Sequence, residues 1–138
     1  MTSFKKHVFF LLLNSAIWLS FAVVGLLNDH YRSWPLDAQI VHCMDLALFI
    51  IPFSYVVLRL VGSAQRFRDS LWLAFYETVP YAVYDYFYLS ASRGNGAAYL
   101  GVYWYLTAFY FLPWLEVPVV GLLMDRHEKT LAAAVAGS

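Results

Sequence analysis

The stretch LWLAFYETVPYAVYDYFYLS, residues 71–90, is apolar and aromatic enough to cross a bilayer, yet it contains Glu77, Pro80 and Asp85. At about 100° per residue, the spacing of the two acids places them roughly 80° apart around a helix. They share that broad face with Tyr81, Tyr84 and Tyr88. An ionised carboxylate facing hydrocarbon costs at least about 2.5 kcal/mol, so we expect this face to point into a bundle, a wet cavity or a partner.

The composition of the whole chain is typical of a membrane protein. The 138 residues are 62% hydrophobic and only 13% charged, whereas soluble domains average about 25% charged residues. The formal net charge is zero and the basic residues form no patch, so we expect no nucleic-acid partner. Cys43 is the only cysteine, which excludes an intrachain disulfide, and the sequence has no phosphate-binding or dinucleotide motif that indicates a cofactor.

Four segments are long enough to span a membrane as helices, since a span needs about 20 residues. They are residues 7–27, 38–61, 71–90 and 98–124, separated by short polar joints. The first lacks a signal-peptide cleavage site, so we interpret it as a retained helix. The sequence thus predicts an all-α, integral membrane bundle of four transmembrane helices that forms a single domain over residues 1–138. It leaves open whether the membrane is the endoplasmic reticulum or a bacterial inner membrane.

Positive charges predict the orientation, because Lys and Arg are enriched in cytoplasmic loops. With four spans, seven of the nine fall on one side: Lys5, Lys6, Arg59, Arg66, Arg68, Arg126 and Lys129. Only Arg32 and Arg93 fall on the other side. Both termini are therefore expected to be cytoplasmic.

This topology sorts the polar residues of the spans into two layers. The outer layer holds Asp29, His42, Asp45 and Asp85, and the inner layer holds Asn14, Glu77 and Glu116. Burial in a low dielectric disfavours the charged form of a carboxyl group, and a second acid nearby disfavours it further, so a pair of buried acids is suited to general acid/base chemistry. The candidate catalytic residues are Glu77, Asp85, Glu116 and Asp45. Interhelical hydrogen bonds that only hold the bundle together are the alternative.

Aromatic side chains accompany these acids and predict a ligand pocket. Aromatic faces attract cations, so rings beside acids suit an ammonium ligand or a carbocation-like intermediate. The candidate ligand-binding residues are Asn14, Trp18, Asp29, His42, Tyr81, Tyr84, Tyr88, Tyr105 and Phe109. Pro80 follows Glu77, and Pro113 and Pro118 bracket Glu116, so both acids lie where a helix can open. We expect no metal, because a catalytic metal site usually needs about three protein ligands and His42 with Asp45 supplies two.

The layout resembles the EXPERA-domain family of emopamil-binding, sterol isomerase-like four-helix membrane proteins. The resemblance rests on Asp29 followed by Pro35, on Asp45 followed by IIPF at 50–53, on Pro80, and on YWYLTAFYFLPWLEVP at 103–118. In that family, acids of the first two helices bind an amine or shuttle a proton across a double bond, and the resemblance assigns those roles to Asp29 and Asp45. The chain departs from the family pattern in its short first loop and in having Glu77 and Asp85 where a histidine-containing stretch is expected.

The sequence therefore predicts a polytopic membrane protein that binds a hydrophobic, isoprenoid- or sterol-like small molecule in an acidic, aromatic pocket. If the protein is an enzyme, acid/base isomerisation, hydration or cyclisation is the expected chemistry. Two alternatives stay open, namely a non-catalytic subunit of a larger membrane complex and a proton- or cation-coupled carrier. Assembly with copies of itself or with other chains is equally open.

Overall fold

A computed structural model describes residues 3–26, 30–62 and 64–136 of the chain. Within these ranges the regular structure is entirely helical, which confirms the all-α prediction. The main helices are α1 (Ser3–Phe21), α2 (Leu36–Val61), α3 (Arg66–Asp85), α4 (Tyr99–Val102), α5 (Trp104–Phe109) and α6 (Leu112–Ala136). Two π-helical segments, Ala22–Leu26 and Tyr86–Ser92, continue α1 and α3, and short 3-10 turns, Tyr31–Ser33 and Gly96–Ala98, precede α2 and α4.

Among the described residues, three helical segments are long and apolar enough to cross a membrane: Ser3–Gly25, Leu36–Val61 and Trp104–Val135. The predicted helix at 71–90 corresponds to α3 and its π-helical continuation. Its acids and tyrosines lower its mean hydropathy below that of the three segments named above. The predicted helix at 98–124 is divided into α4, α5 and α6. The first division falls at Tyr103, whose φ of −110° and ψ of 52° are not helical.

Local chemistry explains where α2 and α3 begin and end. Pro35 precedes α2, where its missing N–H costs nothing. Gly62 ends the helix in the left-handed region at φ 63°, a conformation that glycine adopts without steric penalty. The first N–H groups of α3 are capped from another helix, because Asp125 of α6 accepts hydrogen bonds from the backbone nitrogens of Arg66 and Phe67 at 3.0 and 3.1 Å.

Helix α1 lies alongside α3 and runs in the same direction. At one end, Lys6 Nζ forms a partly buried ion pair with Asp69 Oδ2 at 2.8 Å. Towards the other end, Trp18 Nε1 donates to Asp85 Oδ1 at 2.9 Å. The residue numbers of both partners rise together along the contact, so the two helices are parallel.

Helix α6 packs on α3 in the opposite direction. Near the start of α3, the guanidinium of Arg66 donates to Glu128 Oε1 and to the carbonyl oxygen of Leu58, which joins α2, α3 and α6 at this end. Further along, Trp114 Nε1 donates to Thr78 Oγ1 at 2.9 Å. Because the numbers on α6 fall as those on α3 rise, α3 and α6 are antiparallel.

The buried apolar residues form two clusters at different depths. The cluster beside the Arg66 end, here called the inner core, contains Phe10, Val57, Leu58, Val61, Leu73, Ala74, Val117, Val120 and Met124. The cluster at the opposite end, here called the outer core, contains Ala22, Leu89, Tyr99, Tyr103 and Tyr105. On α1, α2, α3, α5 and α6, residues between these clusters line a space.

Candidate functional site

A cavity of about 480 Å³ lies between the inner and outer cores. This volume falls within the roughly 300–1,000 Å³ typical of small-molecule sites. The wall is mainly aliphatic and aromatic and is formed by α1, α2, α3, α5, α6 and the turn before α2. Its residues are Leu13, Asn14, Ile17, Trp18, Phe21, Tyr31, Trp34, Gln39, His42, Cys43, Leu46, Phe49, Ile50, Phe53, Glu77, Tyr81, Asp85, Tyr105, Leu106, Phe109, Tyr110 and Pro113.

Helix α3 contributes three polar side chains to this wall, at intervals of four residues. Glu77, Tyr81 and Asp85 all line the cavity, since residues four apart lie on one face of a helix. The eight residues from Glu77 to Asp85 correspond to about 12 Å along the helix axis. The two carboxyl groups therefore lie at different depths of the same cavity.

Asp85 is held in place by the protein itself. Its side chain is 2% exposed, Oδ1 accepts a hydrogen bond from Trp18 Nε1 at 2.9 Å and Oδ2 accepts one from Tyr110 Oη at 2.7 Å. The acid thereby joins α1, α3 and the segment between α5 and α6. With both oxygens engaged, Asp85 has a fixed orientation at the cavity wall.

Glu77 differs from Asp85 in this respect. Its side chain is 7% exposed, and neither Oε1 nor Oε2 has a hydrogen-bond partner among the residues that the structure describes. Buried polar groups are nearly always paired, so Glu77 is a candidate for contact with a water molecule or a ligand. Glu116 lies within electrostatic range of Glu77, and its own Oε2 is buried and likewise unpaired within the described ranges.

Asn14 and Tyr81 connect α1 and α3 between these two acids. Asn14 Nδ2 donates to the carbonyl oxygen of Phe10 at 3.0 Å, and Tyr81 Oη donates to Asn14 Oδ1 over a longer distance of 3.4 Å. Asn14 is 1% exposed. Both side chains are therefore oriented within the wall by other residues, and neither occupies the cavity.

Aromatic rings line the outer end of the cavity. The His42 ring stacks on Tyr31 with centroids 5.0 Å apart and meets Trp34 edge-on at 5.4 Å. Gly25 makes this arrangement feasible, because a Cβ there would collide with the Tyr31 ring. Gln39 fixes the same turn by donating from Nε2 to the carbonyl oxygen of Trp34 at 2.9 Å. His42 Nε2 is buried and has no hydrogen-bond partner within the described part of the chain.

The structure brings most of the predicted site residues together at this cavity. Those that line it are Asn14, Trp18, His42, Glu77, Tyr81, Asp85, Tyr105 and Phe109. Tyr84 instead shares a hydrogen bond of 2.8 Å with Ser15, and Tyr88 lies under the guanidinium of Arg93.

Two of the predicted acids, Glu116 and Asp45, are absent from the wall. Glu116 lies about one turn beyond Pro113, outside the lining and within electrostatic range of Glu77. Asp45 is exposed on α2. Asp29 lies outside the described residues.

Several lining residues were not predicted from the sequence, and Tyr110 is the most important of them. It directly follows Phe109, which was predicted, and precedes Pro113 by three residues, so helical spacing from that proline was an available signal. Tyr31, Trp34 and Gln39 belong to or adjoin the polar joint before α2. Nothing in the pattern of a short joint indicates that it folds back over a cavity.

Comparison of the chain with protein-family models, with curated proteins and with solved structures found no match. Function is therefore inferred from the site itself. It combines an apolar cavity, one fixed carboxyl group, one unpaired carboxyl group and one unpaired imidazole nitrogen among the described residues.

Proposed function

We propose that this chain is a multi-pass membrane protein that binds a hydrophobic small molecule in the cavity between its inner and outer cores. The observation that carries the proposal is the cavity of about 480 Å³, whose mainly apolar wall includes the buried and unpaired Glu77. A few polar groups in a mainly apolar pocket are typical of small-molecule sites, because the apolar wall supplies affinity and the polar groups fix orientation. The EXPERA resemblance is retained within this proposal for the fold and the class of ligand.

The proposal includes acid/base chemistry on the bound molecule. A protonated Glu77 donates its proton to one carbon of a ligand double bond and leaves a cation on the other carbon. Loss of a proton from the next carbon beyond that cation to the Glu77 carboxylate forms the shifted double bond and restores the acid. Asp85 is suited to stabilise the intermediate cation, since its orientation is fixed by Trp18 and Tyr110.

The proposed topology has four spans, with α3 and its π-helical continuation as the third and both termini cytoplasmic. The buried polar residues of α3 support it, because polar groups in a membrane are tolerated where they face protein or a cavity. Single cysteines at Ala64 and Ala97, both exposed between helices, provide a test in a Cys43→Ser chain with a membrane-impermeant thiol reagent in sealed vesicles. We expect labelling from opposite sides, and labelling from the same side would contradict a third span.

Ligand binding is tested by blocking the cavity. Leu46 lines the cavity, whereas Leu48 on the same helix is 65% exposed. We expect Leu46→Trp to abolish copurification of a lipid-soluble molecule detected by mass spectrometry, and Leu48→Trp, as the matched control, to retain it. Equal amounts in wild type and Leu46→Trp would contradict binding at this cavity.

A second candidate function is a subunit of a larger membrane complex, which the position of Asp45 favours. Its side chain is exposed on α2 among the exposed apolar residues Val41, Met44, Leu48 and Phe49. A carboxylate on a lipid-facing surface is costly unless a partner helix supplies a hydrogen-bond donor or a cation. Light scattering of the purified protein tests this, because a monomer of 15.8 kDa for wild type and Asp45→Asn alike would contradict it.

A further inference from the structure

A second cavity, of about 230 Å³ and here called the basic pocket, lies between the beginnings of α1 and α3. The α1 residues of its wall recur at intervals of three and four, so they lie on one face of that helix. The two cavities share no wall residue among those that the structure describes. The polar side chains of the basic pocket come from both helices and are Ser3, Lys6, His7, Arg68 and Asp69.

The wall of the basic pocket has two formal positive charges and one negative charge. Lys6 Nζ lies 2.8 Å from Asp69 Oδ2, and this ion pair uses one of the three N–H donors of the ammonium group. Arg68 is exposed and forms no ion pair within the described ranges of the chain. Its guanidinium group has five N–H donors. The pocket therefore has a net positive charge and donors that Asp69 does not engage, and both properties suit an anion.

The position of the basic pocket suits a membrane surface. It lies at the Arg66 end of the bundle, together with seven of the nine Lys and Arg residues, and the proposed topology makes this end cytoplasmic. Trp72 lines the pocket and is exposed, as is Phe67 beside Arg68. Tryptophan is enriched at membrane–water interfaces, and basic pockets between membrane helices on the cytoplasmic side bind lipid headgroups.

The apolar part of the wall is ordered by contacts within the protein. The His7 ring meets the Trp72 ring edge-on with centroids 4.6 Å apart, and His7 Nδ1 lies 3.5 Å from Tyr76 Oη. Phe10, a buried residue of the inner core, also lines the pocket. Apolar surface beside cationic donors matches a molecule with a charged group next to hydrocarbon, because burial of the hydrocarbon is favourable in proportion to its area.

We infer that the basic pocket binds the phosphate group of an anionic lipid. The guanidinium of Arg68 binds two phosphate oxygens through parallel N–H donors, a geometry for which arginine is suited. Lys6 provides a second cation from the facing helix and is held in place by Asp69. An anionic lipid binds in preference to a zwitterionic one because the pocket has a net positive charge. This inference goes beyond the proposed function and uses one part of it, the position of this end at a membrane surface.

Native mass spectrometry of the purified full-length chain in detergent tests the inference, because it resolves bound lipids and gives their Kd values. We expect phosphatidylglycerol to bind about tenfold more tightly than phosphatidylcholine with the same acyl chains. Arg68→Gln is expected to remove most of this preference, since it removes the charge-assisted hydrogen bonds to phosphate. Arg126→Gln is the matched control, because it removes the same charge from an exposed position at the same end but outside the pocket. It is expected to retain the preference.

Asp69→Asn tests the site in the opposite direction. It removes the negative charge from the pocket and releases Lys6, so we expect phosphatidylglycerol to bind about twofold to fivefold more tightly. Misfolding does not produce a gain in affinity, so this result is independent of any loss of stability in the variant. Asp37→Asn, the matched control, removes an exposed carboxyl group in the first turn of α2, at the opposite end of the bundle. It is expected to leave the affinity unchanged.

The outcomes distinguish the possible ligands. Equal affinity for the two lipids, or equal losses in Arg68→Gln and Arg126→Gln, would overturn the site, and so would unchanged or weaker binding in Asp69→Asn. Inorganic phosphate in large molar excess is expected to leave phosphatidylglycerol bound. Its displacement would show that the pocket takes soluble phosphate, which overturns a lipid ligand. None of these measurements involves the larger cavity, whose ligand is tested separately by Leu46→Trp.

Discussion

Replacing Tyr110 by Phe removes one of the two hydrogen bonds that hold Asp85. The phenol of Tyr110 donates to Asp85 Oδ2 at 2.7 Å, and Asp85 is 2% exposed. Hydrogen bonds to charged groups contribute about 1.5–3 kcal/mol, so we expect Tyr110→Phe to lower the free energy of unfolding by that amount. Denaturation of the purified protein by sodium dodecyl sulfate in mixed micelles, followed by circular dichroism, measures the loss.

Tyr84→Phe is a matched control for this prediction. It also removes a phenol hydroxyl that is hydrogen-bonded between α1 and α3, but its partner is the neutral Ser15 hydroxyl at 2.8 Å. Interhelical hydrogen bonds between membrane helices average about 0.6 kcal/mol, so Tyr84→Phe should cost clearly less. We also expect Tyr110→Phe to lower the free energy of unfolding less in a protein that already has Asp85→Asn than in the wild type. Equal losses for Tyr84→Phe and Tyr110→Phe, or full additivity with Asp85→Asn, would refute a role for Tyr110 in holding a charged Asp85.

Three further predictions concern stability and use the same denaturation assay. Gly121→Val is expected to lower the free energy of unfolding by about 1–3 kcal/mol through overpacking, because a Cβ at Gly121 would lie 2.7 Å from the Ser70 Cβ. Gly101→Val serves as the control, because a Cβ at Gly101 meets no atom within 4 Å. Asp125→Ala is expected to cost about 0.5–2 kcal/mol, since it removes the cap of α3. Glu77→Leu is expected to stabilise the ligand-free protein by about 1–3 kcal/mol, because it removes an unpaired buried group. A loss of stability would show instead that Glu77 has a structural partner.

The acidic and aromatic face of α3 could be predicted because its residues are unusual in a membrane. Polar side chains within an apolar membrane segment are favourable only where they face protein or a cavity. The sequence positions of Glu77 and Asp85 therefore indicated that this face of α3 points inward. Helical spacing then placed Tyr81 correctly beside them. The same spacing failed for Tyr84, which is hydrogen-bonded to Ser15, and for Tyr88, which follows the change to a π-helix at Tyr86.

The orientation of α2 could not be predicted for a different physical reason. In a soluble helix, apolar residues mark the buried face, but in a membrane both the lipid-facing and the protein-facing sides are apolar. His42 and Asp45 share a broad face, yet the cavity stripe continues from His42 through Leu46. Asp45 lies about 100° around the helix from Leu46, which puts its side chain on the exposed surface. One residue of rotation therefore decides whether an acid on α2 faces the cavity or the exposed surface.

The contrast between Asp85 and Glu77 connects the fold to the proposed chemistry. From the sequence alone the two acids have equivalent roles, since both are carboxyl groups on the same face of one helix. The structure surrounds Asp85 with donors from α1 and from the segment before α6, and it leaves Glu77 without any among the described residues. A group that is fully paired stabilises the bundle whether or not a ligand is present, whereas an unpaired buried group is maintained at a cost to stability. Selection for function is the simplest reason to keep such a group. Glu77 is therefore expected to favour ligand binding and to lower the stability of the ligand-free protein.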